Sequence, residues 1–305
     1  MAKSSAVRRL LKALGVVVLL MAAAGVFYWQ RPLTVAGWIG QVRMWKAGIE
    51  SGYATVGSHR VHYLAQGEGE PLVLVHGFAS DATFMVPVLV SLSKHYRVYA
   101  PDLLGYGKTD RPADGYSIAA QSTLVTGFIE TMGLKDVRLV GLSMGGWVSM
   151  HAAAERPELV RKLVLADSSG ITFEVTVDRG VFFPKAEEDI AKLRQVMGPP
   201  DLPPFPGFVA RDLVRRLQGM AFTNGRMVES MLTGADLMDE RLDEIRAPTL
   251  VYWGAADRLT PVAVGERIAA GIPGARLVAT ENCGHLAILT CRAQFLDAAL
   301  PFLKD

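Results

Sequence analysis

Cysteine is scarce in this 305-residue chain: only Cys283 and Cys291 are present. Two are too few for a disulfide framework, and no accompanying histidine cluster suggests zinc. They read as structural or inert thiols. A bond between them is an option for a domain outside the cytoplasm, but spacing alone does not show that their Cβ atoms meet. An excess of one charge sign is also missing. With 32 basic and 30 acidic residues the formal net charge is +2, which leaves no basic field for nucleic acid and no like-charged interaction tail. The soluble part has neither an internal repeat nor a low-complexity tract. What the chain does have is apolar content, 50% of its residues, enough for one large core or a core plus a small accessory domain.

Part of that content sits at the N-terminus. Lys3, Arg8, Arg9 and Lys12 precede an uncharged run from Ala13 to Trp29 that closes on Phe27-Tyr28-Trp29. At 1.5 Å rise per residue such a run just crosses a bilayer core, and the terminal aromatics suit its interface. A cleaved signal peptide is the rival, because Ala22-Ala23-Ala24 suits a signal peptidase. The apolar run continues past Ala24, which favours an uncleaved anchor. The cations ahead of it place the N-terminus in the cytoplasm and the rest of the chain outside; secretion or periplasmic release after cleavage is the alternative. Next, Val35, Trp38, Ile39, Val42, Trp45 and Ile49 recur near a helical period. That face suits a membrane surface, or equally packing on the domain.

The soluble part opens with a predicted hairpin, Tyr53–Val56 and Arg60–Leu64. Apolar strands follow at Pro71–Val75, Tyr96–Ala100, Val137–Val140, Lys162–Ala166, Thr249–Trp253 and Arg276–Ala279. Continuous rather than alternating apolarity predicts strands covered on both faces. Helical stretches at Ser117–Met132, Gly145–Glu155, Val262–Ala270 and Ala287–Leu303 separate most of them. This alternation predicts an α/β fold with a mostly parallel, doubly wound sheet, whose chemistry gathers at the carboxyl ends of the strands. About eighty residues between Asp167 and Pro248 break the pattern. Their helical periodicity, Pro-rich punctuation (Pro199-Pro200, Pro203-Pro204, Pro206) and many Phe and Met read as an inserted helical lid. Phe173, Phe182, Phe183, Phe205, Phe208, Met220, Phe222, Met227 and Met231 are candidates for an acyl pocket, with lid core and lid-to-body packing the expectation for most.

The chemistry centres on Gly141-Leu142-Ser143-Met144-Gly145-Gly146, where a strand stops and a helix starts. Glycines on either side of Ser143 permit a tight turn that presents the hydroxyl, and the Met144 N–H, at a helix N-terminus, can donate to a developing oxyanion. A serine needs a base and an acid to orient it. His285, after the last strand in Asn282-Cys283-Gly284-His285, is the best-placed histidine; His59, His62, His95 and His151 read as structural. Asp257, just beyond Trp253-Gly254, is the best-placed acid. Asp167 is its rival, and Asp102 reads as a turn-stabilising carboxylate. No metal or organic cofactor is expected.

His76-Gly77-Phe78, Asp102-Leu103-Leu104-Gly105-Tyr106-Gly107, the Ser143 elbow, Gly254-Ala255-Ala256-Asp257 and Asn282-Cys283-Gly284-His285 together resemble the α/β-hydrolase superfamily over residues from about 52 to 303. The resemblance implies Ser143 as nucleophile, His285 as base, Asp257 as orienting acid, and backbone N–H groups of Phe78 and Met144 as the oxyanion hole, with His76 supporting that loop. Together with the N-terminal and insertion readings above, it gives the domain plan: an anchor or signal segment over 1–31, an amphipathic linker helix over 32–51, a hydrolase core over 52–170 and 245–305, and a helical lid over 171–244. Anchor, lid and elbow are similar to those of membrane-anchored monoacylglycerol lipases and related bacterial lipases and esterases, which implies hydrolysis of apolar acyl esters from a small-molecule or lipid substrate. The alternatives are a C–C hydrolase of the meta-cleavage product type, in which tryptophan typically follows the catalytic histidine where this chain has Leu286, and a non-catalytic small-ligand receptor on the same scaffold.

Overall fold

The computed structural model describes residues 2–175, 177–199 and 202–304; Pro200, one of the prolines noted in the insertion, lies outside them. The chain opens with two helices, α1 (Ala2–Gln30) and α2 (Pro32–Lys46). The segment Leu10–Gln30 of α1 has a mean hydropathy of 2.4 and is wholly unburied, long and apolar enough to cross a membrane. In α2, Trp38, Ile39, Val42 and Trp45 are 56%, 48%, 52% and 76% exposed. Their face turns away from the domain, which overturns the reading that packs it inward. Ile49 lies past the helix and is buried instead.

An eight-stranded sheet follows. The hairpin β1 (Glu50–Val56) and β2 (His59–Gln66) leads into β3 (Pro71–Val75), α3 (Val86–Leu92), β4 (Arg97–Pro101), α4 (Ile118–Thr131), β5 (Val137–Leu142), α5 (Met144–Glu155) and β6 (Val160–Ala166). Then come α6 (Glu187–Met197), α7 (Gly207–Gly219) and α8 (Ala221–Leu232), before β7 (Thr249–Gly254), α9 (Val262–Gly271), β8 (Arg276–Thr280), α10 (Ala287–Thr290) and α11 (Arg292–Lys304). Spatial order is β1-β2-β4-β3-β5-β6-β7-β8. Pairings from β4 through β8 are parallel, and β2 joins β1 and β4 antiparallel.

Alternation of side chains along each strand sorts the core into two layers. Val73, Val75, Leu139, Leu165 and Val251 face one side with α4, α5 and α9; Leu72, Leu74, Val140, Val164 and Leu250 face the other with α3 and α11. Two covered faces are why these strands read as unbroken apolar runs. β8 departs from that expectation: at the sheet edge its residues are only half-buried or exposed. The single helix expected over Ala287–Leu303 is two, broken at Cys291.

Candidate active site

Ser143, Asp257 and His285 follow β5, β7 and β8, so three distant segments meet above the carboxyl end of the sheet. The Ser143 backbone has φ 55° and ψ −120°, a left-handed-side conformation that costs a non-glycine residue about 1–3 kcal/mol. Neighbouring contacts hold it there: Ser143 N–H donates to Ala166 O at 2.9 Å, and Ser143 O accepts from Gly146 N–H at 2.9 Å. A Cβ on Gly145 would overlap the Val75 carbonyl oxygen, and one on Gly141 the Gly145 carbonyl oxygen. Only glycine lets strand, turn and α5 approach this closely.

The hydroxyl Oγ of Ser143 lies 2.8 Å from Nε2 of His285, and Nδ1 of His285 lies 2.8 Å from Oδ2 of Asp257. His285 and Asp257 are buried. Asp257 is fixed by three further donors: Leu259 N–H and Thr260 N–H to Oδ1 at 2.8 and 3.0 Å, and the Thr260 hydroxyl to Oδ2 at 2.7 Å. With both oxygens occupied by donors, Asp257 accepts from Nδ1–H and leaves Nε2 free to accept the serine proton. Thr260 is a residue the sequence reading missed. Its signal, a threonine three residues after the aspartate, is short and common in ordinary turns.

Asp167 does not reach His285. It is fully buried, with φ 44°, and its Oδ1 and Oδ2 accept from Gly254 N–H at 2.8 Å and Ala287 N–H at 3.0 Å. It therefore ties the loop before Asp257 to the loop after His285. Burial, and then the nearby charge of Asp257, push its carboxyl well above the usual range. Asp102 is likewise structural: Oδ1 accepts from Ala82 N–H at 2.7 Å, and Oδ2 accepts from Lys108 N–H at 2.9 Å and from His62 Nδ1 at 2.7 Å. Burial alone would raise its carboxyl, but the His62 bond, the His76 ring and these amides together bring it below the usual range. His151 is spent on the Asp236 carbonyl and Glu155.

Gly77 packs against the elbow, where a Cβ would stand 3.3 Å from Leu142 O and from Ser143 Cβ. His76 braces this loop, donating from Nδ1 to Gly77 O at 2.8 Å and accepting at Nε2 from Leu103 N–H at 3.0 Å. Met144 is the first residue of α5, so its N–H has no acceptor within the helix. Phe78 N–H has no backbone acceptor among the described residues. Among the described residues neither N–H is taken up by another backbone group, which is the condition an oxyanion hole at this elbow requires.

Two cavities meet at Ser143 and His285. One, of about 450 Å³, runs past Phe182, Met220 and Phe205 to Leu33 of α2. The other, of about 320 Å³, runs under the insertion past Trp147, Phe173 and Met231. Of the nine apolar candidates in the insertion, Phe173, Phe182, Phe205, Met220 and Met231 line these cavities. Met227 is buried in the main core, Phe208 stacks on Trp29 at 4.7 Å, and Phe222 packs edge-on to Tyr116. Leu33 had no signal beyond its place in an apolar segment. Among the described residues no group of three or more His, Cys, Asp or Glu could hold a metal ion. Cys283 and Cys291 are joined as a disulfide, Cα atoms 6.2 Å apart, that closes a loop around His285.

Residues 72–298 match the family model described as the alpha/beta hydrolase family, and the chain belongs to that family. Among curated relatives, the 2-hydroxymuconate semialdehyde hydrolase of Pseudomonas putida is 31% identical over 262 residues, covering 81% of this chain and 92% of the relative. Among solved structures, a bacterial membrane phospholipase A described as a virulence factor superimposes with a TM-score of 0.81 at 29% identity, covering 96% of this chain and 98% of the other. A serine hydrolase involved in carbazole degradation gives a TM-score of 0.73 at 25% identity, covering 84% and 99%.

Proposed function

We propose that this chain is a membrane-anchored serine hydrolase of carboxylic esters with apolar acyl groups, monoacylglycerol-type esters among them. The unbroken relay from Ser143 through His285 to Asp257, opening on two apolar cavities, carries the reading. His285 Nε2 takes the Ser143 proton as Oγ attacks the ester carbonyl. The carbonyl oxygen becomes an oxyanion that accepts from the Phe78 and Met144 amides. Collapse expels the alcohol, which leaves with the proton from His285. Water, deprotonated by the same nitrogen, then attacks the acyl-enzyme and releases the acid and free Ser143. Asp257 holds the Nδ1–H tautomer and stabilises the imidazolium through both steps.

Leu10–Gln30 is the anchor in this reading, with the catalytic domain outside the cytoplasm. The disulfide supports an oxidising compartment, and the likeness to a membrane phospholipase supports the anchor. The test is Ser143→Ala with a p-nitrophenyl acyl ester and a fluorophosphonate probe. Turnover and labelling of the wild type should both vanish in the variant, and retained turnover overturns the assignment. The similarity to a 2-hydroxymuconate semialdehyde hydrolase favours a second reading, C–C bond hydrolysis of the meta-cleavage product type. Turnover of a meta-cleavage product faster than of any ester in an acyl-length series would select it.

A further inference from the structure

A third cavity, of about 630 Å³, lies between α2 and the hydrolase body, apart from the two at Ser143. The α2 wall includes the small residues Ala36, Gly37 and Gly40 alongside Gln41, Arg43 and Met44. A Cβ on Gly37 or Gly40 would meet nothing within 4 Å, so these glycines leave space rather than permit close packing. Three cations line the cleft, Arg43, Lys108 and Arg216, opposite two carboxylates, Asp81 and Asp102. The carboxylates are already occupied, Asp81 by Arg216 at 2.9 Å and Asp102 by His62, Ala82 and Lys108 N–H. Arg43 and Lys108 side chains have no ion-pair partner among the described residues.

Asp81, Thr83 and Arg216 belong to the walls of both this cleft and the 450 Å³ cavity that reaches Ser143. The Arg216–Asp81 pair thus stands between the cavity at Ser143 and the cationic cleft, and the two spaces adjoin across it. Depth matches as well. α2 starts two residues after the apolar segment ends, and its Trp38 and Trp45 point outward, so with that face on a bilayer the cleft lies at the level of lipid headgroups.

We infer that the cleft beneath α2 is a headgroup subsite for a phosphate-bearing lipid ester, with Arg43 and Lys108 holding the phosphate while the acyl carbonyl sits on Ser143. Guanidinium and ammonium groups left unpaired beside satisfied carboxylates are suited to a phosphate oxygen. The inference rests on the ester-hydrolase reading and narrows its substrate class from neutral to phosphorylated lipids.

The full-length protein in detergent micelles tests it by the ratio of kcat/KM for 1-oleoyl-lysophosphatidylglycerol to that for 1-oleoylglycerol, two esters with the same acyl chain. In R43Q/K108Q that ratio should fall about tenfold through KM of the phosphorylated ester, and in R43K/K108R it should recover. A ratio in R43Q/K108Q equal to that of the wild type overturns the subsite and leaves the ester-hydrolase reading standing. Failure of the wild type to cleave either ester removes both. Inorganic phosphate separates a lipid headgroup from a free anion. Insensitivity of both rates to millimolar phosphate supports the lipid, and a parallel change in both would reassign the cleft to a soluble effector.

Discussion

At the residue scale the decisive distinction is between two buried aspartates. Asp257 touches His285, so Asp257→Asn should turn the imidazole to the wrong tautomer and cut kcat about 10⁴-fold with KM little changed; steady-state kinetics on a p-nitrophenyl ester checks it. Asp167 acts on the scaffold. Its raised folded-state value means that the folded chain still holds a proton at a pH where the unfolded chain, near the ordinary value of about 4, has released it. The protonated fold is thus favoured at low pH, and stability is lost as pH rises from about 4 toward the raised value. Asp167→Asn lacks that loss. It also leaves one of the Gly254 and Ala287 amides without its oxygen, a penalty of about 1–3 kcal/mol that does not depend on pH. Thermal midpoints of wild type and variant should therefore converge as pH rises from 4.5 to 7.5; a constant gap would sink this account. Ser143, His285 and Asp257 were legible because each follows a recognisable strand. Thr260 and the bracing role of Asp167 were not, because a threonine near a turn and an aspartate at a strand end have many ordinary uses.

Among the elements, the loop from Cys283 to Cys291 shows how a local bond bears on the site. It holds His285 between β8 and α11, and the chain there breaks into α10 and α11 where an apolar pattern alone reads as one helix. A bond with eight-residue separation stabilises by about 2.5 kcal/mol on loop entropy. Cys283→Ala/Cys291→Ala should lower the unfolding free energy by roughly that amount, read by urea denaturation. It should also lower kcat more than it raises KM, because the loop carries His285, the base of the proposed mechanism. Unchanged stability and kcat would show that the Asp167 and Asp257 bonds hold the loop unaided. α2 and α3 expose the corresponding weakness of periodicity. In α2 the pattern defines an apolar face but not whether protein or lipid covers it. In α3, Val86–Leu92, nearly every residue is apolar and a proline opens the helix, so no face stands out.

Over the whole molecule, the apolar N-terminal helix is joined to the insertion, and the joint lies in contacts nearly two hundred residues apart in sequence. Asp212 of α7, buried, accepts Leu33 N–H at 2.9 Å and stands 3.8 Å from Arg31. It supplies from another helix the cap that α2 lacks in its own sequence. Trp29 stacks on Phe208, and Arg215 donates to Gln30 O. No sequence pattern announces such a joint, since every partner reads as an ordinary surface or apolar residue. Leu33 also lines the cavity at Ser143, so the joint sets one wall of that cavity, the acyl site of the proposed reaction. Asp212→Ala leaves the Leu33 amide uncapped, a cost of about 1 kcal/mol, and releases α2 from α7. Turnover of a long-chain ester presented in vesicles should then fall by several-fold more than turnover of a short soluble ester, because only the long chain needs the wall that Leu33 forms. Equal losses on both esters would mean that α7 moved Ser143 or His285 instead, and that the N-terminal helix is a tether without influence on the acyl cavity.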